Sequence, residues 1–210
     1  MNSQTEKITL QGAAGRIEVQ RDQPAEAPRG VAVIAHPHPL FSGTMDNKVV
    51  QTLARAFVAS GWTSVRFNFR GVGASEGVHD EGRGELEDML NVVGQLAPEG
   101  PLAIAGFSFG AFVASGAVSR LWGERDVRQI VLVGTAAARN VVAPLPVEAR
   151  ERALVIHGEA DDTVALSAVM DWARPQSLPV TVIPGGGHFF HGQLPLLKSL
   201  VARHLRAGAA

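Results

Sequence analysis

Short uncharged runs alternate along this chain with segments whose apolar residues recur at helical spacing, and that alternation limits the architectures open to it. Val31-Ala32-Val33-Ile34-Ala35 is continuous and apolar, as a strand buried on both faces requires. Val49, Val50, Leu53, Ala54, Phe57 and Val58 follow at helical spacing. Asp46 is the candidate cap of that helix and Gly61 its expected stop. The pairing then recurs. Residues 65–69, 102–105, 130–133, 153–156 and 180–183 read as strands, whereas Leu86, Met89, Leu90 and Val93 mark a helix. Leu166, Val169 and Met170 suggest a short helix, and Leu197, Leu200, Val201 and Leu205 a closing one. Such alternation predicts an α/β architecture, a mainly parallel sheet with helices on both faces. Ahead of it, residues 7–10 and 16–19 flank Gly12 and Gly15 as a β-hairpin, and the charged, proline-bearing residues 20–29 read as a surface loop.

The chain has 210 residues, 46% of them hydrophobic, enough to bury a full core. It shows no repeat, low-complexity tract or linker, so one domain over residues 1–210 is expected. The formal net charge is -1 and no basic run stands out, which argues against nucleic acid or an anionic membrane as partner. There is no cysteine, excluding disulfides, thiolate catalysis and cysteine metal sites. The start, Met1-Asn2-Ser3-Gln4-Thr5-Glu6, lacks the basic and apolar regions of a secretory leader. The longest apolar runs reach about six residues, against the roughly 20 that span a bilayer. A cytoplasmic protein with a small-molecule substrate is expected; the sequence leaves its oligomeric state open.

Ser108 sits in Gly106-Phe107-Ser108-Phe109-Gly110, between the apolar run Pro101-Leu102-Ala103-Ile104-Ala105 and the helix-like Ala111-Phe112-Val113-Ala114. A serine on a sharp strand-to-helix turn is a nucleophile elbow: the turn exposes the hydroxyl and aims a helix N-terminus at developing negative charge. With 11 serines and 23 glycines in the chain, chance alone supplies roughly 0.13 such matches, so context must decide. A second match, Gly73-Ala74-Ser75-Glu76-Gly77, lies past its strand and is followed by no helical period. Ser75 therefore reads as a turn serine, and Ser108 as the nucleophile.

A serine hydroxyl needs a base, usually histidine, oriented by a carboxylate, and on an open α/β sheet these groups lie at the carboxyl ends of strands. The strand ending at Ile156 leads into His157-Gly158-Glu159-Ala160-Asp161-Asp162, and the last strand into Gly185-Gly186-Gly187-His188. His188 follows three glycines that suit a tight loop bringing its ring over Ser108. His191 reads as a polar residue near a helix start, and His157 as a core histidine. Asp161 and Asp162 are adjacent, so only one of them can meet the histidine.

An oxyanion hole needs two backbone N–H groups. Phe109 is the expected first donor, and the second lies in His36-Pro37-His38-Pro39-Leu40. Prolines have no N–H, which leaves His38, or Leu40 as second choice. His36 and His38 have the spacing of a metal pair but no supporting ligands nearby, so no metal site is read there. No cofactor is required. The glycine-rich residues 70–75 lack phosphate-loop phasing and read as a structural loop with a salt-bridging Arg70. Phe107, Phe109, Phe189 and Phe190 flank the site in sequence, as acyl-pocket lining or as core.

These segments together resemble the α/β-hydrolase superfamily over nearly the whole chain, and more narrowly its small, lidless bacterial members. The resemblance rests on His36-Pro37-His38-Pro39 with Gly43-Thr44-Met45-Asp46-Asn47, on Arg66-Phe67-Asn68-Phe69-Arg70-Gly71-Val72-Gly73-Ala74-Ser75, and on residues 106–110, 157–161 and 187–190. It implies a single-domain α/β-hydrolase fold. It also implies that the triad acid stands three residues after the strand-end glycine, at Asp161, and that Ser75 belongs to a shared structural loop. Larger relatives carry a cap between two late strands, where this chain has only residues 136–152, too few for a helical cap domain. The implied activity is a serine esterase with a Ser108–His188–Asp161 triad. Thioesterase, small peptidase and a non-catalytic binding scaffold are the alternatives.

Overall fold

The computed structural model of the protein describes residues 5–207; most of the segment read above for a leader lies outside them. The eight strands form one sheet in the order β1-β2-β4-β3-β5-β6-β7-β8. β1 (Glu6–Gly12) and β2 (Gly15–Asp22) make the expected hairpin, and β2 runs antiparallel to β4 (Thr63–Phe67). Every further pairing is parallel, through β3 (Val31–Ala35), β5 (Leu102–Phe107), β6 (Val127–Val133), β7 (Ala153–Gly158) and β8 (Val180–Ile183). The helices are α1 (Lys48–Ala59), α2 (Arg83–Leu96), α3 (Phe109–Leu121), α4 (Leu166–Ala173) and α5 (Leu194–Ala207).

The uncharged runs are explained by two cores. Ala32 and Ile34 of β3 pack with Val49, Leu53 and Phe57 of α1 and Leu197 and Val201 of α5. Their neighbours Val33 and Ala35 turn to the opposite face, against Met89 of α2, Val113 of α3 and Val169 of α4. Side chains alternate across a strand, so β3, buried on both faces, is apolar at every position. Each such large apolar side chain contributes about 1.5–3 kcal/mol of transfer free energy.

Three local expectations shift. Asn47 caps α1, its side chain accepting from the Val49 N–H at 2.9 Å; Asp46 instead faces the Arg66 guanidinium at 3.4 Å. β2 continues through Gln20 to Asp22, because Val19 to Asp22 pair with β4, and the buried Arg66 reaches Asp22 at 3.1 Å. The β4 run stops at Phe67 because the next residues serve loops. The Asn68 side chain accepts from the Met45 N–H at 2.9 Å, and the Phe69 N–H donates to His36 Nε2 at 3.0 Å.

Among the described residues no cap domain covers the sheet. Between β6 and β7 the chain holds one 3-10 segment, Val147–Arg152. Leu145 and Ala149 insert into the core beside it, and the Leu145 N–H donates to Gln176 Oε1 at 2.8 Å. This connection is strapped to the body rather than raised over it. Among the described residues no helix is long and apolar enough to cross a membrane.

The loop after β4 is anchored as its sequence suggests. Arg70 grips the buried Asp88 of α2 through Nε at 3.1 Å and Nη2 at 2.8 Å, and the Asp88 carboxylate also accepts the Arg70 backbone N–H at 2.9 Å. Those bonds, led by the hydrogen bond to Asp88, raise the Arg70 pKa further above its ordinary value. Ser75 is buried in the same loop, accepting from the Glu18 N–H and donating to the Asn68 carbonyl. Removing one partner of a buried ion pair leaves the other uncompensated. Asp88→Asn is therefore expected to cost about 3 kcal/mol, read as a lower urea midpoint at unchanged m-value.

Candidate active site

Parallel strands deliver their carboxyl ends to one edge of the sheet, where the turns after β3, β5, β7 and β8 meet. Ser108 occupies the turn between β5 and α3 with φ 57° and ψ -118°, a conformation costly for a residue with a side chain. The surroundings enforce it. The Ser108 N–H donates to the Val133 carbonyl at 2.8 Å, and the Ser108 carbonyl accepts from Ala111 at 3.0 Å and Ala136 at 3.3 Å. A Cβ on Gly106 would collide with the Gly110 carbonyl, and one on Gly110 with the Ala35 carbonyl. Only glycines let strand, turn and helix approach so closely.

The β8–α5 loop brings His188 to the serine, with Nε2 3.0 Å from Ser108 Oγ and Nδ1 2.7 Å from Asp161 Oδ2. This arrangement suits the tautomer in which Nδ1–H donates to the carboxylate and Nε2 accepts the hydroxyl proton. The other Asp161 oxygen accepts the N–H groups of Thr163 at 2.9 Å and Val164 at 2.8 Å. Burial acts to raise the Asp161 pKa, but the hydrogen bonds from His188, Val164 and Thr163 outweigh it and hold the carboxyl below its ordinary range. Asp162 points to solvent. His157 is buried and donates through Nε2 to the Val164 carbonyl at 2.9 Å, with Asp161 Oδ2 at 3.5 Å. Burial lowers its pKa, so it is a neutral strut under the carboxylate turn. His191 is exposed beside Phe189.

The N–H groups of Phe109 and His38 find no acceptor among the described residues. The Leu40 N–H, by contrast, is taken by His38 Nδ1 at 3.2 Å. The ring of His38 packs on Phe109, Phe41 and His79; burial, then His79, and more weakly Arg139 lower its pKa. Behind it, His36 spends both ring nitrogens on the backbone, Nδ1 donating to the Pro37 carbonyl at 2.6 Å and Nε2 accepting from Phe69. Neither nitrogen is left for a metal ion.

Ser108 opens into a cleft of about 460 Å³ whose walls include His38, Phe41, His79, Phe109, Phe112, Arg139 and Val141. Of the four phenylalanines flanking the site in sequence, Phe109 lines this cleft. Phe107 and Phe190 are core, and Phe189 stands half-exposed against His188. Phe41, His79, Phe112, Arg139 and Val141 were not singled out from sequence. Phe112 carried a usable signal, one helical turn after Ser108; the others sit on loops without a period.

A strained serine between strand and helix, hydrogen-bonded to a histidine that bonds a carboxylate, on a sheet of this order, defines an α/β serine hydrolase. The chain belongs to the family of X-Pro dipeptidyl-peptidase (S15 family), whose profile matches residues 15–130. It is 33% identical to an α/β serine hydrolase without lid from Xanthomonas campestris, with a TM-score of 0.85 over 99% of this chain and 96% of that one. An α/β serine hydrolase homologue from Coxiella burnetii is 36% identical, with a TM-score of 0.76 over 95% of this chain and 97% of that one. An uncharacterized protein of Rickettsia prowazekii is 31% identical over 201 residues, 88% of this chain and 82% of that protein.

Burial lowers the pKa of His36 from 6.5 to about 4. Between those values the unfolded chain holds a proton that the native protein does not, so stability is complete above about pH 6.5 and falls as the pH drops towards 4, by up to about 3 kcal/mol. Urea unfolding between pH 7 and pH 4.5 should show this slope, and His36→Gln should lack about one proton of it.

Proposed function

We propose that this protein is a carboxylic-ester hydrolase acting through a Ser108–His188–Asp161 triad and an acyl-enzyme. The observation that carries the reading is the continuous hydrogen-bond chain from Ser108 Oγ through His188 to Asp161, at 3.0 and 2.7 Å. His188 Nε2 takes the hydroxyl proton as Ser108 Oγ attacks the ester carbonyl. Asp161, held ionised by three hydrogen bonds, orients the ring and stabilises the imidazolium. Negative charge gathers on the carbonyl oxygen, where the free N–H groups of Phe109 and His38 receive it, each worth about 2.7–4 kcal/mol of barrier when aligned. The imidazolium then protonates the departing alcohol. Water, deprotonated by His188, releases the acid and restores the serine. The cycle calls on no cofactor or metal, and the proposal covers one domain over residues 1–210 acting in the cytoplasm on a small molecule.

A peptidase is the second reading, favoured by the family to which the chain belongs and by Glu81 on the cleft wall, where a carboxylate suits a peptide amino terminus. Both readings require Ser108 to be labelled by a fluorophosphonate, whereas a non-catalytic scaffold would stay unlabelled. Hydrolysis of p-nitrophenyl esters from C2 to C12 is the direct test, run beside dipeptidyl-proline amides. Ester turnover is expected in the wild type, none above background in Ser108→Ala, and a kcat about 10⁴-fold lower in Asp161→Asn. Cleavage of the amides with no cleavage of esters would turn the assignment to the peptidase.

A further inference from the structure

The cleft beside Ser108 carries an uncompensated charge. Its wall includes Arg139 and Glu81, but the two are not equivalent. Glu81 has a cationic neighbour in Arg83, at 3.6 Å. Among the described residues the Arg139 side chain has no ion pair or hydrogen bond. The other carboxylates near the site are occupied. Buried Glu85 takes His79 Nδ1 at 2.8 Å and the N–H groups of Asp80 and Gly82, and Asp161 is committed to His188 and its own turn.

Arg139 is also held in register with the serine. Ala136 N–H bonds to the Ser108 carbonyl at 3.3 Å, and the Asn140 side chain donates back to the Ala136 carbonyl at 3.0 Å. The turn presenting Arg139 is thus fastened at its start to the backbone of the proposed nucleophile and closed on itself at Asn140. The same wall carries flat apolar surface, Phe41 at 69% exposure and the half-buried ring of Phe112, with Phe109 packed against Phe112 beneath. Guanidinium groups match carboxylates in geometry and hold their charge at any working pH.

We propose that Arg139 is a specificity residue and that the substrate is an ester carrying a carboxylate, with an aromatic or otherwise flat carbon skeleton packed between that guanidinium and Ser108. This rests on the ester-hydrolase reading above and narrows it to a substrate class. The carboxylate reaches Arg139 while the ester carbonyl meets Ser108, so the same anion that binds also sets the reacting carbon in place. A neutral ester of the same shape lacks that anchor.

The test compares pairs differing only in charge, 4-acetoxybenzoate against 4-acetoxybenzamide and methyl hydrogen terephthalate against methyl 4-carbamoylbenzoate. The pairs put the charge on the alcohol side and on the acyl side respectively. In the wild type the anionic member of at least one pair is expected to have a kcat/KM at least tenfold higher, mainly through KM, with the preference shrinking as salt is raised. Arg139→Gln should bring the ratio near one and Arg139→Glu should invert it. Terephthalate binding to Ser108→Ala, followed by calorimetry, should weaken at least fivefold when Arg139→Gln is added. Equal turnover within both pairs, or a preference and a binding constant untouched by Arg139→Gln, overturns the proposal while leaving the esterase reading intact. Arg139-dependent binding of terephthalate with no ester cleaved would instead sustain the recognition site and remove the esterase reading.

Discussion

The close approach of β5, α3 and β3 around Ser108 is the constraint on which the rest of the site depends. Ser108 can hold φ 57° only because its N–H and carbonyl are both fastened, and because Gly106 and Gly110 let backbone touch backbone on either side. Strain of this kind persists where the surroundings over-determine it. Here they include a strand on each side, a helix beginning at the next residue, and the turn after β6. The hydroxyl stays at the sheet edge because no relaxed conformation fits between those elements.

Electrostatic order follows from the same crowding. His36 and His157 each sit fully buried at the end of a strand, below the polar groups of the site. Burial lowers the pKa of both rings; the His36 ring bridges a backbone acceptor and donor, and the His157 ring donates to the Val164 carbonyl, without bringing charge into the core. His36 thereby shapes the loop that presents the His38 N–H, and His157 braces the turn that clasps Asp161. His188, also buried, differs in its partners: its ring touches Ser108 on one side and Asp161 on the other. Three histidines near strand ends divide into two struts and one ring held between a serine hydroxyl and a carboxylate, and environment alone separates them.

An uncapped cleft changes how selectivity arises. Larger hydrolases bury substrates under inserted domains, but the β6–β7 connection here is tied down by Leu145, Ala149 and Gln176. What remains to discriminate substrates is the wall itself. On it, aromatic faces supply contact area, and Arg139 supplies a charge that pairs with no carboxylate among the described residues.

The alternating runs, the strand–serine–helix junction and the order of serine, aspartate and histidine were all legible in the sequence, because each is a local pattern of period, glycine or turn. Burial on both faces left β3 and β5 no polar residue, which made their runs easy to read. Other features were decided by tertiary structure. β2 extends through polar residues because β4 lies beside it, and Asn47 rather than Asp46 caps α1 because Arg66 draws Asp46 away. The resemblance pointed to Asp161, and the direction of a turn is the physical difference from adjacent Asp162: one carboxylate is wrapped by N–H donors and the other faces water. The cleft wall is assembled from loops distant along the chain. Exposed loop residues such as Phe41 and Arg139 obey no hydrophobic period, so only the folded chain brings them to Ser108.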